Sequence, residues 1–379
     1  MNPTEIFCPN LECSARGEEG KGNIKIHSQK QKRYKCKECG KTFTESKGTV
    51  FYRMKYEEEI ITKVITLIAY GCPLQAIVEA FEIDERTVSN WRERAGKQCV
   101  AVHQHLVETP RDLEQVQADE LYGKQQDIAT KGKALWIAMA IWVQTRLWLG
   151  CEISQRRDFH LVKSLMQRVK KCAMIKDLVI ITDGFRAYFS AICMVFRQTI
   201  ETKCVGRPRL KIWKELAIGQ MVKQYSKGRV VGSIQRVLRG TATLVSSILY
   251  NSQGRGQITT VYIERLNATF RQRLSSLTRR SRSLVRHSDT LRYSLFLVGT
   301  VYNFCSFHHS LSFPDISSGK LSPHTPAMAS KITDHCWSVR SLLSFRIPPP
   351  PFSPPPQPKL LGRPRFLVEY FSYTPPGTL

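Results

Sequence analysis

Residues 178–182, Leu-Val-Ile-Ile-Thr, run without interruption into Asp183-Gly184. Successive side chains of a strand point to opposite faces, so five apolar or β-branched residues in a row need a sheet covered on both sides. Asp-Gly then ends the strand in a turn. A carboxylate leaving the end of a buried strand, where a sheet opens to solvent, is placed to hold a metal ion or a polar substrate. An ordinary turn after a core strand is the plain alternative, and the rest of the chain decides between them.

That rest is strongly basic. The 379 residues include 57 Lys and Arg against 31 Asp and Glu, a formal charge of +26. Such an excess calls for a polyanionic partner, nucleic acid before a membrane surface. The apolar runs at Leu135–Val143 and Tyr293–Val301 are too short to span a bilayer. The start, MNPTEIFCPN, lacks a basic-then-apolar signal pattern. Twelve cysteines without such a signal point to a reducing compartment, with clustered thiols used for metal. The expectation is a soluble protein of the cytoplasm, associated with the nucleoid.

Cys8-x4-Cys13 and Cys36-x2-Cys39 frame a polar interval. Two close pairs can offer four thiolates to one tetrahedral Zn²⁺, which predicts a zinc ribbon over residues 1–50. Lys25–Lys41 carries seven basic residues and one acid, Glu38, so the ribbon suits contact with phosphates, a purely structural role being the alternative. Residues 51–110 read as helical. Ile60, Ile61, Val64, Ile65, Leu67 and Ile68 mark one amphipathic helix, stopped at Gly71-Cys72-Pro73. Leu74–Phe81 and Glu85–Ala95, around a tight turn with Asp84 as N-cap, have the helix-turn-helix pattern. Val88 and Trp91 would face the core; Arg86, Thr87, Ser89, Asn90 and Arg92 would face a major groove. An ordinary helical hairpin is the competing reading.

Residues 111–310 read as a mixed α/β domain of order βββαβαβ: strands at Val116–Tyr122, Lys133–Gln144, Arg146–Ile153, Leu178–Thr182 and Gln198–Thr202, with helices at Phe159–Lys171 and Ala187–Phe196. Asp119 and Glu120 should point to opposite faces of the first strand. The interval 206–258 fits no clean element and holds nine basic residues and one acid between Gly206 and Gly240, the pattern of a DNA-facing insertion. It opens Gly206-Arg207-Pro208-Arg209, repeated at Gly362–Arg365, a core that can lie extended in a minor groove or simply form a loop. A long helix, Ile258–Ser276, aligns Glu264, Asn267 and Arg271 on one face. From about residue 311 to 379 the Ser- and Pro-rich composition predicts a disordered tail, with a polyproline spacer at Pro348–Pro358. If the first and fourth strands of the domain are neighbours, Asp119 and Asp183 converge and the helix can bring Glu264 across them. Three such carboxylates suit Mg²⁺ or Mn²⁺.

The ribbon, the helix-turn-helix, Ala-Asp119-Glu120, Thr-Asp183-Gly184 and Ile-Glu264-Arg265-Leu-Asn267-x3-Arg271 occur in this order. Over roughly residues 8–310 the chain resembles the transposases of the bacterial insertion-sequence-one family. Tyr302-Asn303-Phe304 and His308 are similar to the end of many such catalytic domains. The resemblance implies an RNase H-like domain with a catalytic Asp119, Asp183 and Glu264 triad binding Mg²⁺, with Asn267 and Arg271 as accessory residues. It also implies double-stranded DNA, element ends and target, as partner, and a homo-oligomer in the synaptic complex. The wide C-x4-C pair and the long basic interval before Glu264 depart from the pattern. A non-catalytic DNA-binding regulator or a decayed transposase are the competing expectations.

Overall fold

The computed structural model describes residues 2–126, 132–200, 208–279, 283–314 and 321–351. The chain divides into two units, Met1–Glu45 with Pro348–Leu379, and Ser46–Ile347. The first is a small antiparallel meander, β1 (Ile24–Ser28), β2 (Arg33–Cys36) and β3 (Thr42–Thr44). Its core is Ile6, Ala15, Ile24, Tyr34, Phe43 and three buried cysteines, too little apolar area to hold so short a segment without a cross-link or a metal. The proline run starts docked on this unit, because Arg16 donates through Nε to the Pro350 carbonyl at 2.7 Å and through Nη2 to that of Pro351 at 2.8 Å. Residues 352–379, with the second Gly-Arg-Pro-Arg, lie outside the described residues.

The second unit opens with α1 (Glu58–Ala69), α2 (Leu74–Phe81) and α3 (Glu85–Leu106). Asp84 caps α3 by accepting the Thr87 amide at 3.1 Å, and Val88 and Trp91 are buried, as their spacing requires. Then follow β4 (Gln115–Gln125), β5 (Lys133–Trp142), β6 (Leu147–Ser154), α4 (Phe159–Cys172), β7 (Leu178–Thr182) and α5 (Ala187–Val195). The chain continues through β8 (Arg197–Ile200), β9 (Arg209–Ile212), β10 (Leu216–Ser226), β11 (Arg229–Arg239), α6 (Ala242–Gln253), α7 (Val261–Arg273) and α8 (Ser288–Cys305). It ends in β12 (His308–Pro314), β13 (Leu321–His324), α9 (Pro326–Ala329) and α10 (Val339–Ser344).

Six strands make one mixed sheet in the order β11-β10-β7-β4-β5-β6. The central strand β7 is buried at all five positions and lies parallel to both β4 and β10. The expected adjacency of the first and fourth strands of this domain therefore holds. Val116 and Ala118 of β4 pack with α4 and α5 on one face, and Leu121 packs with α7 and α8 on the other. α6 covers Val179, Ile181 and Ala217.

Three expectations change here. Arg197–Ile200 does not join the sheet as its fifth strand; it pairs with β9 in a separate hairpin. The place beside β7 belongs to β10, inside the interval expected to be a basic insertion. Leu216, Ala217 and Ile218 are buried against β7, while Lys227 and Arg229 sit at the exposed far end of the β10–β11 hairpin. The charge of the outer half concealed the buried inner half. Nor does a tail begin at residue 311, because Leu342 and Leu343 of α10 are fully buried in the core shared with α1 and α3. Among the described residues, no helix is long and apolar enough to cross a membrane.

Candidate functional site

One face of β4 carries a polar series at alternate positions, Gln115, Gln117 and Asp119, each reaching a different part of the layer above it. Gln115 accepts from Ser252 Oγ of α6. Gln117 Oε1 accepts the amides of Tyr262 and Ile263, both at 3.1 Å, and its Nε2 donates to the Thr259 carbonyl at 2.6 Å. This side chain supplies the cap that Thr260 does not, satisfying two of the free amides at the start of α7 and fixing that helix to β4. Asp119 Oδ2 accepts from Asn267 Nδ2 at 2.9 Å, one turn further along α7.

β4 continues past its last pairing with β7, Ala118 to Thr182, so Asp119 stands beside Asp183 where β7 has ended. Asp119 Oδ1 folds back onto the Glu120 amide at 2.8 Å, and Asp183 Oδ1 accepts the Phe185 amide at 2.9 Å in an Asx turn. Glu120 does point to the other face, where the Tyr188 hydroxyl lies beside it. Even so, carboxylate oxygens of Asp119, Glu120 and Asp183 come within 4.8 Å of one another, with Asp119 turned back along its own backbone within β4. Arg157 binds the pair from outside, with Nε and Nη2 on Glu120 Oε2 at 3.0 and 2.8 Å and Nη2 on Asp183 Oδ2 at 3.0 Å. Its guanidinium lies 4.3 Å from the Phe185 ring centre and 5.3 Å from that of Trp136.

Burial, then the charge of Glu120, then those of Asp183 and Glu264, push Asp119 up to about 7. Burial also raises Glu120. Crowded carboxylates that resist ionising together are a site that a divalent cation would stabilise, and their all-oxygen donors suit Mg²⁺ or Mn²⁺. The acidic triad could hold such an ion.

The sequence pattern named Glu264 as the third acid, and the structure brings Glu120 into that close cluster instead. Glu264 Oε1 takes Lys223 Nζ of β10 and Thr260 Oγ1, both at 2.7 Å. Its charge still reaches Asp119, as does that of the half-buried Arg271. Gln117 and Arg157 went unread: a Gln two places before Asp119 on the same strand face was a legible signal, whereas nothing local marked Arg157.

In the first unit Cys8 Sγ lies 3.7 Å from Cys39 Sγ, and Cys13 Sγ 3.8 Å from Cys36 Sγ. These are not disulfides, and all four sulfurs lie within 4.8 Å of one another. A tetrahedron of Zn–S bonds of ~2.3 Å has S–S edges of about 3.8 Å, so the four could hold Zn²⁺ with little adjustment. Burial pushes the Cys8 thiol up; against the same effect the Lys41 amide, Asn10 and the neighbouring thiols draw Cys39 down to about 7.

Of the residues expected to face DNA, Arg86 and Asn90 are exposed on α3, while Thr87, Ser89 and Arg92 are half-buried. Arg209 is exposed at the start of β9, and Arg207 lies outside the described residues. No family model matches this chain, and no curated protein matches it.

Proposed function

We propose that the chain is a DNA transposase with an RNase H-like catalytic domain. It would bind the terminal inverted repeats of an insertion sequence, cut their 3′ ends by hydrolysis and join them to target DNA by transesterification. The observation that carries this reading is the meeting of Asp183, just past the end of β7, with Asp119 on the adjacent parallel strand β4, under the face of α7 that bears Glu264, Asn267 and Arg271. The order of three antiparallel strands followed by two parallel ones, and the charge of +26, support it further.

Asp119, Asp183 and either Glu120 or Glu264 would hold the metal. When bound, two ions ~3.5–4 Å apart activate water or a 3′-hydroxyl and stabilise the leaving oxygen. Asn267 keeps Asp119 Oδ2 oriented toward α7, and Arg271 places a cation near it for a scissile phosphate. Arg157 and Lys223 neutralise Asp183, Glu120 and Glu264 in the arrangement seen here. α2 and α3 would serve as a helix-turn-helix on the element ends, assisted by the zinc ribbon.

The test is Mg²⁺-dependent cleavage of inverted-repeat DNA. Asp119→Asn and Asp183→Asn should each reduce cleavage and joining by orders of magnitude while binding to the ends persists. Comparing Glu264→Gln with Glu120→Gln identifies the third acid. Asp177→Asn and Glu215→Gln are controls that should retain activity; Asp127, a third control by sequence, lies outside the described residues. Cleavage unaffected by all four site substitutions would refute the active site and leave a DNA-binding regulator.

A further inference from the structure

The first half of α3 and the segment leading into α8 face each other across a cavity of about 500 Å³, lined by Arg92, Arg273 and Arg286. None of these three forms an ion pair or a side-chain hydrogen bond among the described residues. Arg273 lies 4.5 Å from the Tyr70 ring centre, and its Nη1 is buried with no partner. Burial lowers the proton affinity of Arg92, and the charges of Glu85 and Glu93 only partly offset this. The starts of α2 and α8 also line the cavity, and neither has a side-chain cap. Their free amides add positive potential.

The wall is rigid where α1 turns into α2. Gly71 has φ +92°, and a Cβ there would sit 2.9 Å from Arg273 Cα. A second cavity of about 290 Å³, lined by Arg86 and Asn90, shares Ser89, Arg92 and Thr290 with the first. The two therefore form one trough along α3.

Although Glu85 and Glu93 line the trough beside Arg92, Arg92 and Arg273 are partly drawn out of water without an ion-pair partner. The site becomes favourable when an anion joins them. One small anion would leave most of the two cavities empty, whereas a run of phosphates can engage several guanidinium groups along α3. We propose that this trough takes the sugar–phosphate backbone of DNA, with Arg92 and Arg273 on phosphates and not on base edges. The proposal rests on the reading that the chain binds DNA, and is independent of whether it cuts.

Binding of the full-length protein to a fluorescent duplex of random sequence, measured over a salt series, tests it. The slope of log K against log salt should fall by about 0.9 for each phosphate that Arg92→Gln, Arg273→Gln or Arg286→Gln leaves without its cation. Arg92→Lys, which keeps the charge, should retain most of the slope. Arg340→Gln, whose wild-type partner is Glu58 at 2.8 Å, should leave the slope unchanged. Should Arg273→Gln unfold because its packing on Tyr70 is gone, Arg92→Gln and Arg286→Gln decide the matter. Unchanged slopes overturn the proposal, as does heat protection by inorganic phosphate that these variants abolish while their slopes stay intact, since the ligand is then a free anion. Reduced slopes in a protein without Mg²⁺-dependent cleavage keep the trough and sink the transposase reading; cleavage with unchanged slopes does the reverse.

Discussion

His103 shows how firmly a single buried side chain ties the sheet to the helices. It is fully buried on α3, its Nε2–H donates to the Leu149 carbonyl at 3.2 Å, and it packs against Trp148 and Phe296. Gly150 makes room: with φ +118°, a Cβ there would meet Arg168 Cδ at 2.4 Å and His103 Nε2 at 3.2 Å. Burial, reinforced by Arg168, lowers His103 to about 3. In the unfolded chain the group titrates near ~6.5. Because the folded value is the lower one, the stability that neutral His103 contributes is complete above about pH 6.5 and is lost as pH falls toward 3. The loss approaches ~1.4 kcal/mol per pH unit. Urea midpoints of the parent should therefore drop more steeply on acidification than those of His103→Gln, which keeps a donor for Leu149. Parallel curves for the two proteins would show that His103 does not titrate with unfolding. At the same scale, Asp183 was legible from an uninterrupted apolar run, whereas the Glu120–Asp119 contact depends on one carboxylate folding along its backbone. No alternation rule contains that bend.

Among the elements, α7 depends most on a partner distant in sequence. Its apolar side is ordinary, with Ile263, Leu266 and Phe270 buried, but its first turn is held by Gln117 of β4. Gln117→Leu keeps the volume and removes three hydrogen bonds, leaving two amides and a carbonyl without partners. The expected cost is about 1–3 kcal/mol in urea unfolding, accompanied under the proposed function by weakened cleavage, because Glu264 and Asn267 ride on this helix. A variant as stable as the parent would mean that the apolar side alone seats α7. α8 is seated differently: Asn303 accepts from the Trp148 amide and donates to the Trp148 carbonyl, both at 2.9 Å, satisfying the outer edge of β6. Helix faces and buried strands could be read from spacing, but β10 could not. Its buried residues, Leu216 to Gln220, occupy only half the strand, and the polar remainder masked them.

For the whole molecule, the division into two units sets the expected response to metal removal. The first unit has a core of eight buried residues, three of them zinc-candidate cysteines, so its folding should depend on Zn²⁺. Cys36→Ser, or a strong chelator, should unfold it. Ser46–Ile347 has its own cores and should keep its thermal transition. Elemental analysis of the purified protein should find one zinc per chain. Absence of zinc, or a single transition in which both units melt together on chelation, would overturn this.

The sequence alone determined what depends on neighbours along the chain: the buried strand before Asp183, the cysteine pairs, the Asp84 cap and the helix face joining Glu264, Asn267 and Arg271. Alternation, 3.6-residue spacing and capping are local, and they hold wherever the element ends up. Tertiary structure decided what depends on register between distant segments. It set β10 beside β7, Gln117 under α7, Lys223 on Glu264, and Arg92 in a cavity with Arg273. Each of these pairings joins residues brought together by burial of apolar surface elsewhere, so no pattern within either segment encodes it.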